Sequence, residues 1–279
     1  MQFNNNSNNL QQREAIKLTR VTTIINQKGG VGKTTTAHVL ATGLSRQGFR
    51  VLSVDVDPQG NLSYTMNADT TRRGLYEAMR EEAPITDLIQ ITAQGAILPS
   101  TLLLAGADME FTSTGREWIL DSILQPIKDQ YSHIIIDSPP TLGILTINAL
   151  TASSDVVIPM GADIYSLQGL NQLYRTIGKV RKFCNRNIHI AGLLMTRYSS
   201  RAILNRDIKD GIGDKANELD AHIYETIIRE GIAIKEAQTQ QLCLFEYAPK
   251  SKPAQDYMNF IGEYLRQEGR GTNHGQKEF

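Results

Sequence analysis

The amino-acid sequence predicts an α/β protein, a single-domain, three-layer, doubly wound fold around a mostly parallel sheet. Three observations lead there. Short β-branched runs alternate with segments of helical period from Val21 onward, the pattern of βα units. A glycine-rich stretch, INQKGGVGKTTT (Ile25 to Thr36), stands between the first such run and the first helical segment. The strongest apolar run, HIIID, ends in a carboxylate, Asp137, and the carboxyl ends of parallel strands are where such sheets bind ligands.

In chain order, VTTIIN (Val21–Asn26) predicts the first strand, and KTTTAHVLATGLSRQG the first helix, closed by Gly48. VLSVDVD (Val51–Asp57) predicts a second buried strand. Short helical pieces follow at Gly74–Glu82 and Ile85–Gln90, then a weaker strand pair at AILPS and LLLAGAD. Gly115–Gln130 is amphipathic, and His133–Asp137 and Asp155–Met160 predict strands. A long helix is expected from Ser166 to Phe183, a strand at Ile188–Arg197, a helix over Ala202–Leu219 and a strand at His222–Ile228. PAQDYMNFIGEYLRQ (Pro253–Gln267) predicts a last packing helix, with Pro in its first turn and Tyr257, Phe260, Ile261, Tyr264 and Leu265 on one side. The expected organisation is an Asn-rich polar tail over 1–20, one domain over 21–267, and a second polar tail over 268–279.

Composition narrows the function classes. The chain has 279 residues, 41% apolar and 21% charged, with 29 Lys plus Arg against 29 Asp plus Glu. A polyanion-binding surface must therefore be a local patch. Cys184 and Cys243 are far apart and outside any C-x-x-C spacing, as expected for thiols in a reducing cytosol. No run approaches the roughly eighteen apolar residues of a membrane span, and the Asn/Gln-rich start has no secretory h-region.

The loop Lys28-Gly29-Gly30-Val31-Gly32-Lys33-Thr34-Thr35 carries the chemistry. Glycines let the backbone curl close to phosphate oxygens, and the following helix adds its positive end. Lys33 is expected at the β- and γ-phosphates, the Thr34 hydroxyl at Mg²⁺, and Thr35 at the α-phosphate. This is the loop of the P-loop NTPase type, a nest for a di- or triphosphate with Mg²⁺. Yet Gln27 stands where the common pattern has glycine, and a second lysine, Lys28, follows it.

The stretch KGGVGKTT resembles the deviant Walker A loop of the ParA/MinD family of ATPases. DVDPQGN (Asp55–Asn61) resembles the family's D-x-D-P-Q-G-N, and HIIIDSPP its Walker B. The resemblance runs from about Val21 to Leu265 and includes GLLMTRYSSR and IREGIAIKEAQ, similar to the family's adenine-side and late-helix segments. It implies that Lys28 reaches the nucleotide of a partner subunit in a sandwich homodimer, that Asp57 orients the attacking water, and that Asp55 and Asp137 serve Mg²⁺. Lys28, Lys33 and Asp57 are then the catalytic candidates.

The family serves several ends. The terminal helix holds Asp256 and Glu263, unlike a basic membrane anchor, no cysteine lies near a motif, and no tyrosine cluster closes the chain. DNA segregation in the cytoplasm, on nucleoid DNA, is the remaining expectation, with nonspecific double-stranded DNA and a ParB-like adaptor as partners. From Asn171 to Asp210 nine basic residues stand against two acidic ones. Arg175, Lys179, Arg181, Lys182, Arg197, Arg201 and Arg206 are the candidate phosphate contacts. The alternative is an ATP-switched scaffold that positions a protein assembly without DNA.

Overall fold

The structure, a computed structural model, describes residues 19–161, 164–198, 213, 216 and 221–271. Most of both expected tails, nearly all of the expected helix Ala202–Leu219, and Arg201 and Arg206 lie outside the described residues.

Eight strands form one sheet in the order β3-β4-β2-β5-β1-β6-β7-β8. They are β1 (Arg20–Ile24), β2 (Val51–Asp55), β3 (Gln90–Thr92), β4 (Gly95–Leu98), β5 (His133–Asp137), β6 (Asp155–Gly161), β7 (His189–Tyr198) and β8 (Ile223–Arg229). All pairs are parallel except β3 with β4. The three central strands are buried along almost their whole length, which is why they read as continuous apolar or β-branched runs.

Alternation along β5 sorts the two faces. Ile134 and Ile136 pack with Leu52, Val54 and the helices Ile119–Leu124 and Ile144–Ala152. Ile135 points the other way, into the layer built by Lys33–Arg46 and Lys252–Gly271. Asp137 shares the face of Ile135 by the two-residue period. The register pairs Asp137 with both Ile24 and Asp55, so the carboxyl ends of β1, β2 and β5 lie level. The last helix buries Tyr257, Phe260, Ile261 and Tyr264 as its spacing requires, and runs on to Gly271.

Two expectations are corrected. The segment LLLAGAD is not a strand: Leu102–Gly106 is a 3₁₀ turn continued by the helix Ala107–Glu110. Leu104, Ala107 and Phe111 are buried while Leu102, Leu103 and Met109 are exposed, a helical rather than a two-residue period. The partner of β4 is instead β3. The second strand stops at Asp55, where the chain turns and Ser63 caps the strand-end carboxylate, so Asp57 lies in a loop. The amphipathic stretch Gly115–Gln130 folds as three short pieces, the last a 3₁₀ turn with Pro126 in its first turn. The helix Ile144–Ala152 carried no amphipathic signal because nearly every residue in it is buried.

Candidate functional site: a phosphate loop and its carboxylates

The loop Lys28–Gly32 is fastened before it turns. Asn26 donates from Nδ2 to the Pro159 carbonyl on β6 (2.7 Å) and accepts from the Lys28 N–H (2.9 Å). Gly30 and Gly32 have φ 73° and 88°, the left-handed region where a side chain is strained. Gly32 leads into the helix Lys33–Arg46, its carbonyl accepting from Thr36 N at 2.8 Å. The loop therefore ends on a helix N-terminus, a site made for anions.

Lys33 is buried and donates to the Lys28 carbonyl at 3.2 Å. Burial lowers its pKa, opposed by the nearby charges of Asp137 and Asp57. Thr34 donates from Oγ1 to Asp137 Oδ2 at 2.6 Å, and Thr35 Oγ1 accepts from Gln238 Nε2 at 3.0 Å. Ser138 fixes the residue after Asp137 by donating to the Ile24 carbonyl at 2.9 Å.

The three candidate carboxylates differ in surroundings. Asp137 is fully buried; burial first, then the neighbouring Asp55, holds its pKa well above the ordinary carboxylate range, against the Thr34 hydroxyl and Lys33. Its Oδ1 is buried with no hydrogen-bond partner among the described residues. Asp55 is also fully buried, and burial raises its pKa. Its Oδ2 accepts from both the amide and the hydroxyl of Ser63, each at 2.7 Å, and its Oδ1 from the Asp57 amide at 3.2 Å. Asp57 lies along the cleft, where its Oδ1 accepts from Gln59 N at 3.0 Å and Ser100 Oγ donates to its carbonyl at 2.6 Å.

An unpartnered buried carboxylate oxygen beside a threonine hydroxyl and a phosphate loop is an oxygen donor set suited to a hard divalent cation. The residues present therefore fit Mg²⁺ held by Thr34 and Asp137. Asp55 stands behind them, its oxygens engaged by Ser63 and Asp57.

Lys33, Thr34, Thr35 and Asp57 line a cleft of about 750 Å³, within the range of small-molecule sites. Its lining includes the loop with Asp57, Gln59 and Tyr64, and also Thr196, Arg197, Ile228–Gly231, Ile234 and Gln238. Of the candidate cations for DNA, Arg175, Lys179 and Lys182 are exposed on the helix Ile164–Phe183. Arg181 is turned back onto the Ile188 carbonyl, at 3.0 and 3.2 Å. Arg197 stands apart from that row, at the cleft, donating to the Gly30 carbonyl at 2.9 Å. The loop contacts of Thr196 and Arg197, and that of Gln238 with Thr35, were absent from the sequence reading of the site. Their one available signal was the position of Thr196-Arg197 near the carboxyl end of a strand.

A parallel sheet with a glycine loop after its central strand, a buried lysine and a strand-end aspartate defines a P-loop nucleotide-binding protein. Comparison with known proteins narrows this. A family model described as an AAA domain matches residues 19–190. The sporulation initiation inhibitor protein Soj of Bacillus subtilis is 38% identical over 88% of this chain and 97% of its own length. The chromosome partitioning protein ParA of Caulobacter vibrioides is 35% identical over 89% and 95%. Among solved structures, cobyrinic acid a,c-diamide synthase from Mycobacterium smegmatis, with bound ATP analogue and magnesium, superposes with a TM-score of 0.81. It is 32% identical, over 91% of this chain and 97% of that one. The chain belongs to the ParA/MinD family, among the partition ATPases of the ParA and Soj type.

Proposed function

We propose that this protein is a DNA-partition ATPase whose ATP-bound form is a sandwich dimer that holds double-stranded DNA without sequence preference. Hydrolysis to ADP and phosphate releases the DNA, and a ParB-like adaptor accelerates that step. In each cleft the main-chain amides of the loop and Lys33 bind the β- and γ-phosphates. Ile228 and Ile234 supply apolar surface for the base. Thr34 and Asp137 hold Mg²⁺, which when bound neutralises charge on the phosphate oxygens. Asp57 places the attacking water from the cleft wall, and Lys33, with the partner's copy of Lys28, stabilises charge that develops as the bond breaks. Water left poorly ordered in an open cleft makes the unstimulated site slow.

The observation that carries the DNA role is the exposed row Arg175, Lys179 and Lys182 on the helix Ile164–Phe183, whose opposite face buries Leu170, Leu173, Ile177 and Val180. Positions at spacings of four and three share one helix face. In a chain with formal net charge +0, this row is a local concentration of positive charge suited to phosphates. The apolar face of the last helix, with Phe260, Ile261 and Tyr264, is engaged in the core, which supports DNA over a membrane as the surface served. No described helix is long and apolar enough to cross a membrane.

Titrating random-sequence duplex DNA with the protein and ATP, across a salt series, tests this. Binding that weakens steeply with salt, and that is lost in R175A/K179A/K182A, is expected. No binding even at low salt would favour the scaffold role instead.

A further inference from the structure

Two successive carbonyls of the phosphate loop are held from near the end of β7. Thr196, only 2% exposed, donates from Oγ1 to the Val31 carbonyl at 2.7 Å. The next residue, Arg197, donates from Nη1 to the Gly30 carbonyl at 2.9 Å and from Nη2 to Glu230 Oε1 at 3.2 Å. Glu230 is itself anchored, its N–H donating to the Tyr198 carbonyl at 3.1 Å. Arg197 adopts φ 54°, a left-handed conformation that disfavours a side-chain-bearing residue by roughly 1–2 kcal/mol. Strain of this kind persists where surrounding contacts over-determine the position.

The consequence follows from peptide geometry. In a trans peptide the carbonyl and the next residue's N–H point in opposite directions. Drawing the Gly30 carbonyl toward β7 turns the Val31 N–H the other way, and drawing the Val31 carbonyl there does the same for the Gly32 N–H. Flanked by glycines that otherwise rotate freely, these peptide planes are the ones most in need of an external hold. Successive N–H groups aimed to one side form the concave anion site of a phosphate loop.

We propose that Thr196 and Arg197 are positioning residues that preset the phosphate nest by tethering the carbonyls of Val31 and Gly30. The proposal rests on the reading of the cleft as a nucleotide site. Donors oriented beforehand need no reorganisation when the anion arrives, so the pair serves the polyphosphate and not the base.

Calorimetric titration of the full chain with ADP, a nonhydrolysable ATP analogue and adenosine, all with Mg²⁺, tests the idea in wild type, T196V, T196S and R197M. Losing the buried Thr196 hydroxyl, which also lies 3.2 Å from the Met160 carbonyl, should weaken ADP and analogue binding about tenfold in T196V, with adenosine affinity within twofold of wild type and near-full recovery in T196S. R197M, at an exposed position that does not threaten folding, should lose ADP and analogue affinity about threefold and leave adenosine unchanged. Wild-type protein that binds no nucleotide would overturn the nucleotide-site reading. Wild type that binds, with ADP affinity unchanged in R197M or lost in step with adenosine in T196V, would overturn the tether alone.

Discussion

Thr34 Oγ1 donates to Asp137 Oδ2 at 2.6 Å across 103 residues of sequence. The contact joins the first residues of the loop helix to the end of β5, and it leaves Asp137 Oδ1 without a partner among the described residues. Thr34→Ala should therefore lower Mg²⁺-dependent ATP hydrolysis about 100-fold or more, while Thr34→Ser stays within a few-fold of wild type. Steady-state phosphate release against Mg²⁺ concentration measures both.

Lys28 lies at the entry to the loop, where its N–H and carbonyl are engaged by Asn26 and Lys33. Those two contacts come from its backbone and survive truncation of the side chain, and Lys28→Ala should keep nucleotide binding by the monomer. It should abolish the ATP-dependent dimer, because the side chain is the part proposed to cross to a second copy. Size-exclusion chromatography with a nonhydrolysable analogue decides this, and a variant that still dimerises counts against the sandwich.

Arg20 on β1 pairs with Asp155 at the start of β6 at 3.0 Å. Burial alone would raise the Asp155 pKa, but His189, Arg20 and Ser154 outweigh it and hold the carboxyl down at about 2. A depressed folded-state pKa stabilises above the unfolded value of 3.8, and that contribution fades as pH falls from there toward about 2. Asp155→Asn should thus cost about 2 kcal/mol at pH 7, and the gap to wild type should narrow below pH 4. Urea unfolding at a series of pH values reads it.

Asp108 caps the helix that follows the Asp137 loop, its Oδ1 accepting from Ile144 N at 2.6 Å. A Cβ on Gly143 would stand 2.4 Å from Asp108 Oδ2, so alanine there must push the exposed Asp108 carboxylate off the cap. Gly143→Ala and Asp108→Ala should each destabilise by about 1 kcal/mol, since each loses the same cap contact. Because removing the carboxylate also removes the clash, the double variant should lose less than the sum. A double-mutant cycle by thermal or denaturant unfolding shows whether it does.

The parallel sheet and the last packing helix were legible because each leaves a local mark: buried apolar runs for β2 and β5, and a helical stripe for Tyr257, Phe260 and Tyr264. The helix Ile144–Ala152 left none, since it is surrounded and has no polar face to set a period. Leu102–Glu110 misled for a related reason, because exposed Leu102 and Leu103 beside buried Leu104 make a continuous apolar run.

The sequence by itself determined the phosphate loop, because an anion nest is made of consecutive backbone groups and so must be contiguous in the chain. It also marked Asp137, since a strand of apolar residues ending in a carboxylate is a local pattern. Only the tertiary structure decided what holds that loop: Asn26 against Pro159, Thr196 on Val31, Arg197 on Gly30 and Gln238 on Thr35. Most of these are single side-chain hydrogen bonds between segments far apart in the chain. They follow from which strands lie side by side at the sheet's carboxyl edge, and strand order carries no period that a sequence could display.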